Sequence, residues 1–94
     1  MSGEPVTEWR EFRRRREGMM YALDGGLWLH RHRLYGEPMA HLVSSDRDKL
    51  LAYGAAHGLE ARWLQYKPLK DPRTGVRVEA WHWDLLREKL PPRT

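Results

Sequence analysis

The stretch LWLHRHRLYGEPMAHLVS, residues 27–44, restricts the fold more than any other part of the chain. Two extended runs flank Tyr35-Gly36-Glu37-Pro38, and turn-forming residues between such runs mark a β-hairpin. A loop of residues 36–37 or of 35–38 sets Leu34 opposite Met39, His32 opposite His41 and His30 opposite Val43. Pro38 has no N–H with which to close a tight two-residue turn, which favours the wider loop. Because side chains alternate along a strand, Trp28, His30, His32 and His41 then share one face.

Around this hairpin the other segments predict a small α/β (α+β) domain. Thr7 can cap a helix over residues 8–17 that stops at Gly18, with Val6, Trp9 and Phe12 as its apolar stripe. MMYALD, residues 19–24, reads as a strand ending at Asp24 before Gly25-Gly26. Ser45 and Asp48 have capping-box spacing and open a helix over residues 46–57, ended by Gly58, with Leu50, Leu51, Tyr53 and Ala55 on its buried side. ARWLQY, residues 61–66, follows as a strand parallel to MAHLV, and KPLKDPRTG is a loop. VRVEAWH is the last strand, and LLREKL a short helix stopped by Pro91-Pro92. The expected architecture is a mixed sheet of about four to five strands with one right-handed βαβ crossover, an N-terminal helix and a short C-terminal helix. Residues 1–18 are expected to form a helical appendage and residues 19–94 the single domain.

Ninety-four residues remove only about two-thirds of their unfolded surface from water, so the core is thin. Five Trp, four Tyr and four Met supply bulky contacts in compensation. With no cysteine, a disulfide scaffold, a thiolate metal site and a thiol nucleophile are all excluded. No signal or membrane-spanning segment is expected, and a cytoplasmic location is the default. The net charge of +4 is a spread bias and not a basic face. Asn and Ile are absent and Gln65 is the single Gln, a usage that fits a thermophile with few thermolabile amides.

Near the carboxyl end, EAWHWDLL holds His82 between Trp81 and Trp83, with Asp84 two residues on. If the strand continues, His82 and Asp84 share a side, and a carboxylate can orient an imidazole as base or ligand. The plainer account makes Asp84 the N-cap of the last helix and His82 a packing residue. His30 and His32 project to one side roughly 6 to 7 Å apart, and a cross-strand His41 would complete a trio for a divalent transition metal such as Zn, Ni, Cu or Fe, with Asp24 or Asp84 filling the shell. A solvated hairpin face would show the same HRHR pattern. Arg62 and Gln65 flank Trp63 and Leu64 on an expected central strand, where polar groups need a reason, and Arg62 suits an anion or carboxylate. The run Arg13 to Arg16 could grip phosphates, but consecutive helical residues point in different directions and Glu8, Glu11 and Glu17 interrupt the field. Asp24, the Ser44-Ser45 loop and Gln65-Tyr66 are expected together at the carboxyl ends of parallel strands, an edge where open α/β sheets bind ligands.

The segments HLVSSDRDKLLAYGAAHGLEARWLQ and HWD, in that order, resemble bacterial and phage domain-of-unknown-function family 4031 over roughly residues 19–90. The resemblance implies that Asp24, His41, Arg62, Trp63, Gln65, His82 and Asp84 belong to one place, and it does not single out His30 or His32. The chain departs from that family at Ser45, Leu64 and Trp83. It supplies no reaction. Three expectations follow. The first is a polar pocket binding a small polar or nucleotide-like ligand, with hydrolytic or metal-assisted chemistry in which His82 is the base, Asp84 its orienter and Arg62 the stabiliser of negative charge. The second is a nucleic-acid accessory module using Arg10 and Arg13 to Arg16. The third is a homodimer formed through the helix over residues 8–17.

Overall fold

A computed structural model describes residues 8–93. Its centre is the hairpin of β2 (Leu27–Leu34) and β3 (Glu37–Ser44), but the register differs from the expected one. His30 stands opposite His41, His32 opposite Met39, and Leu34 opposite Glu37. The loop is the dipeptide Tyr35-Gly36, with φ of 51° and 81°, the left-handed pair that a two-residue turn needs to match strand twist. Glu37, which has an N–H, closes this turn, so Pro38 is no obstacle. Relative to expectation the register moves by two residues, and an even shift leaves every side chain on its face.

The N-terminal expectations need correction. The helix expected over residues 8–17 is not formed over residues 8–14, where Trp9–Arg10 is a short strand, β1, parallel to β2. Thr7 and Val6 lie outside the described residues. The helix α1 instead covers Arg15–Leu23, taking most of the segment read as a strand. The expected boundary at residue 18 therefore falls inside a helix. Arg, Glu, Met, Ala and Leu are strong helix formers and none is β-branched, so local propensity favours this outcome. Gly18 does not stop the helix. It lets α1 lie against the sheet, because a Cβ there would fall 2.1 Å from the Trp28 indole nitrogen.

Helix α2 spans Arg47–Ala56, and its N-cap is Asp46, whose carboxylate accepts from the Lys49 N–H. The Ser45 hydroxyl lies 3.0 Å from the carbonyl oxygens of Ala22 and Leu23 and ties α2 to the end of α1. Leu50, Tyr53 and Gly54 form its buried side, while Ala55 is exposed and Leu51 half-buried. Gly58, at φ 72°, follows the last turn as a left-handed terminator.

Beyond α2 the expected strand over residues 61–66 is a 3-10 turn, Ala61–Trp63, and a two-residue strand β4, Gln65–Tyr66. β5 (Leu69–Lys70), inside the expected loop, pairs with β6 (Arg77–Val78), the first part of the expected last strand, as a separate ribbon. The last long strand, β7, covers Trp81–Leu86 and leaves of the expected C-terminal helix only a 3-10 turn, Arg87–Lys89. The main sheet has the order β1-β2-β3-β7-β4. Because β3 and β4 both run antiparallel to β7, they are parallel to each other, as expected, with β7 lying between them.

One face of the sheet buries Leu27, Leu29, Ala40, Leu42, Trp83 and Leu85 against Leu50 and Tyr53 of α2. The Trp83 indole donates to the Leu50 carbonyl at 2.8 Å, which satisfies its one polar atom. On the other face, α1 covers only Trp28 and Val43, through Ala22 with Met19, Tyr21 and Phe12 nearby. The rest of that face carries the histidines. Among the described residues no helix is long and apolar enough to cross a membrane.

Candidate functional site

Strand β7 alternates Trp83 and Leu85 into the core, which sends His82 and Asp84 to the opposite face. The neighbouring ladders then fix their company. Asp84 stands opposite His41 of β3, and His82 stands between Val43 of β3 and Gln65 of β4. All of these are strand positions, so the constellation is held by the sheet and not by a loop.

Asp84 is its hub. Oδ1 lies 2.7 Å from His41 Nδ1 and 3.2 Å from His82 Nε2, while Oδ2 accepts from Gln65 Nε2 at 2.7 Å. An ionised carboxylate only accepts hydrogen bonds, so these contacts place ring protons on Nδ1 of His41 and Nε2 of His82. Asp84 is therefore not a helix cap. Its carboxylate holds three side chains from three strands.

The rings continue as a row. His82 meets His41 edge-on with centroids 4.9 Å apart, His41 lies 4.5 Å from His32, His32 5.8 Å from His30, and His30 stacks on Trp28 at 4.9 Å. They line a cavity of about 570 Å³ whose other walls include Arg15 of α1, Lys67 and Leu69. Burial pushes the His82 imidazole below its ordinary value; the Asp84 charge opposes that, and the charges of His41 and Lys67 add to it. His30 is lowered as well, first by burial and then by Arg15, His32 and His41. Both directions favour neutral imidazoles, the form that can accept a proton or bind a metal.

Of the residues expected to converge, His41, Gln65, His82 and Asp84 do so; Asp24, Arg62 and Trp63 do not line the cavity. Asp24 ends α1 and pairs with Arg73 at 3.0 Å, a guanidinium shared with Asp71. Arg62 is exposed and bonded to Glu60 at 3.1 Å, and Trp63, half-exposed, sits on the 3-10 turn. Among the described residues the expected crevice at the ends of parallel strands is not formed, because the one hydrogen-bonded parallel pair there is β1 with β2. The pocket opens on a sheet face instead. Arg15 and Lys67 were not expected there: Arg15 required knowing where α1 begins, and Lys67 carries no signal in its own segment.

For a metal, the group whose ligating atoms come together among the described residues is His41, His82 and Asp84, all within 4.8 Å of one another. His30 and His32 share their face and their cavity but not that group. The helix on which self-association depended is replaced by β1, where Trp9 packs on the core, and Phe12 tilts against Tyr21. Comparison of the chain with protein-family models, with curated proteins and with solved structures finds no match.

Proposed function

We propose that the domain binds a small anionic ligand of nucleotide-like character in the cavity on the histidine face of the sheet. The observation that carries this reading is the gathering of His41, His82 and Gln65 on Asp84 at a cavity also walled by Arg15 and Lys67. Among the described residues Asp84 is the one carboxylate lining it, and its charge is already met by three donors. Its volume falls within the roughly 300 to 1,000 Å³ usual for small-molecule sites. Arg15 and Lys67 leave the field positive and suit a phosphate or carboxylate group. Val43 and Leu69 offer apolar contact to the rest of the ligand. The resemblance to family 4031 implies His41, Gln65, His82 and Asp84 together with Asp24, Arg62 and Trp63, and the first four are the ones that line this cavity.

The chemistry this arrangement suits is hydrolysis, with His82 as base, Asp84 as its orienter, and Arg15 or Lys67 in the charge-stabilising part first assigned to Arg62. Thermal unfolding with a panel of nucleoside monophosphates and inorganic phosphate tests the reading. At least one probe should raise the midpoint, and the Arg15→Gln, Lys67→Met double variant should lose the increase while folding normally. An increase that persists unchanged in the double variant would place the ligand elsewhere.

A nucleic-acid reading also has an observation in its favour. A second cleft of about 480 Å³ is lined by Arg31, Arg33, Arg87 and Arg93 and shares His32 with the first. Arg31 is already engaged by Glu11 and by the carbonyls of Pro91 and Pro92, so the remaining guanidiniums would carry it. Oligonucleotide binding that weakens steeply with salt and survives His82→Gln would favour it over the small ligand.

A further inference from the structure

We infer that His41, His82 and Asp84 form a binding site for one divalent transition metal ion, with Gln65 as the residue that positions the carboxylate. This deepens the pocket reading and rests on it for the purpose of the ion, though not for the ion's binding; with an ion bound, His82 and Asp84 are its ligands, and the base and orienter parts given above are those of the metal-free pocket. Two imidazoles and one carboxylate are a donor set that suits Zn, Fe, Co or Ni.

The spacing fits an ion. Bonds of about 2.0 to 2.2 Å to one metal hold neighbouring donor atoms roughly 3 to 3.4 Å apart. Asp84 Oδ1 is 3.2 Å from His82 Nε2 and 2.7 Å from His41 Nδ1, and the three donor atoms all lie within 4.8 Å of one another, so small side-chain movements that turn both imidazoles toward a common point would bring all three to one ion. An ion there would take the place of the two ring protons that now point at Oδ1, and each neutral imidazole would carry its proton on its other ring nitrogen instead.

The surroundings are those of a held site. His41 and Asp84 are paired across the β3–β7 ladder, His82 is two residues along the same strand, and His82 is nine-tenths buried. Gln65 donates to Oδ2 at 2.7 Å, which leaves Oδ1 as the metal-facing oxygen and resists rotation of the carboxylate. Three protein donors leave coordination positions open, and the cavity is where a ligand's anionic group could complete them. His30 and His32, which the sequence pattern pairs with His41, lie further along the row and serve as internal controls.

The test uses the full chain, purified without an affinity tag and freed of metal by chelator and dialysis. Co²⁺ alone is titrated and followed by its visible absorption, with calorimetry using Zn²⁺ alone. The wild type should bind one ion per chain. His41→Gln and Asp84→Asn should each weaken binding at least about 100-fold, Gln65→Ala about 10- to 100-fold, and His30→Ala and His32→Ala should leave it unchanged. Histidine ring shifts on Zn²⁺ addition to the unmutated protein give the same assignment without relying on a variant's fold, and should centre on His41 and His82. No stoichiometric binding, or binding abolished by His30→Ala and His32→Ala but not by Asp84→Asn, would overturn the site. A nucleotide that binds in excess chelator beside a failed Co²⁺ titration would remove the metal and leave the pocket. Stoichiometric Co²⁺ with no nucleotide bound under any condition would keep the metal and remove the nucleotide.

Discussion

Asp84 lies directly across the β3–β7 ladder from His41, and its Oδ1 accepts from His41 Nδ1 at 2.7 Å. The pairing follows from register alone. Trp83 and Leu85 must face the core for the sheet to pack on α2, and that requirement turns Asp84 toward the histidines. A carboxylate in such a place would repel an anion if bare. Bonded to two imidazoles and an amide, it becomes the group that orders the pocket wall.

Replacing Asp84 with Ala should therefore disturb more than charge. His82 is buried and would lose its acceptor, and leaving a buried donor unmet costs about 1 to 3 kcal/mol; the partial exposure of Asp84 itself argues for the lower part of that range. Urea unfolding should show a loss of roughly 1 kcal/mol in Asp84→Ala and none in Arg62→Ala, whose guanidinium reaches only the exposed Glu60. Equal losses would mean that the Asp84 network contributes no order.

The lowered His82 and His30 values have a definite sign. Between the ordinary value of 6.5 and the lower folded value, the unfolded chain carries protons that the native protein does not. Stability should thus be complete above 6.5 and fall as the pH drops through and below it. Denaturant midpoints over about pH 5 to 8 should decline on the acid side, and His82→Gln should flatten part of that decline. A profile level across this range in the wild type would show that neither ring is held neutral.

Gly18→Ala should destabilise the protein even though Gly to Ala inside a helix usually gains about 1 kcal/mol. The new methyl would sit 2.1 Å from the indole nitrogen of Trp28, which is buried beneath α1 and stacked on His30. Overpacking of this kind costs about 1 to 3 kcal/mol. Because Trp28 backs His30, the variant should also shift the His30 ring resonances. A higher melting temperature in Gly18→Ala would mean that α1 does not pack as described.

Tyr35→Asn should do the opposite. Tyr35 occupies a left-handed conformation at φ 51° while its side chain is almost wholly exposed, so nothing in the packing compensates. Asn-Gly is the preferred pair for this turn, and relief of the strain should stabilise the hairpin by about 0.5 to 1 kcal/mol. Thermal unfolding would report the gain, and an unchanged or lower midpoint would argue against the two-residue loop.

What could be read from the amino acids was governed by parity. Alternation put Trp28, His30, His32 and His41 on one face, and a register error of two residues could not move them off it. The boundary of β7 was harder, because LLREKL has good helix formers and Asp84 has the chemistry of a cap; pairing with β3 overrides that local preference. Asp24 and Arg62 were misplaced for a related reason. Their positions depended on two strands, residues 19–24 and 61–66, that are mostly helix and 3-10 turn. The meeting of Gln65 with Asp84 was visible only in part, since it needs β4 to lie beside β7 and not beside β3.

The most direct test of the pocket is a long-range ¹H–¹⁵N spectrum of the histidine rings, recorded with the amide spectrum during titration with adenosine monophosphate. The account predicts that the rings of His41 and His82 shift together with the amides of Gln65 and Lys67, while Asp24, Arg62 and Trp63 stay still. Shifts centred on Arg62 and Trp63, or no response from His41 and His82 at saturating nucleotide, would contradict it.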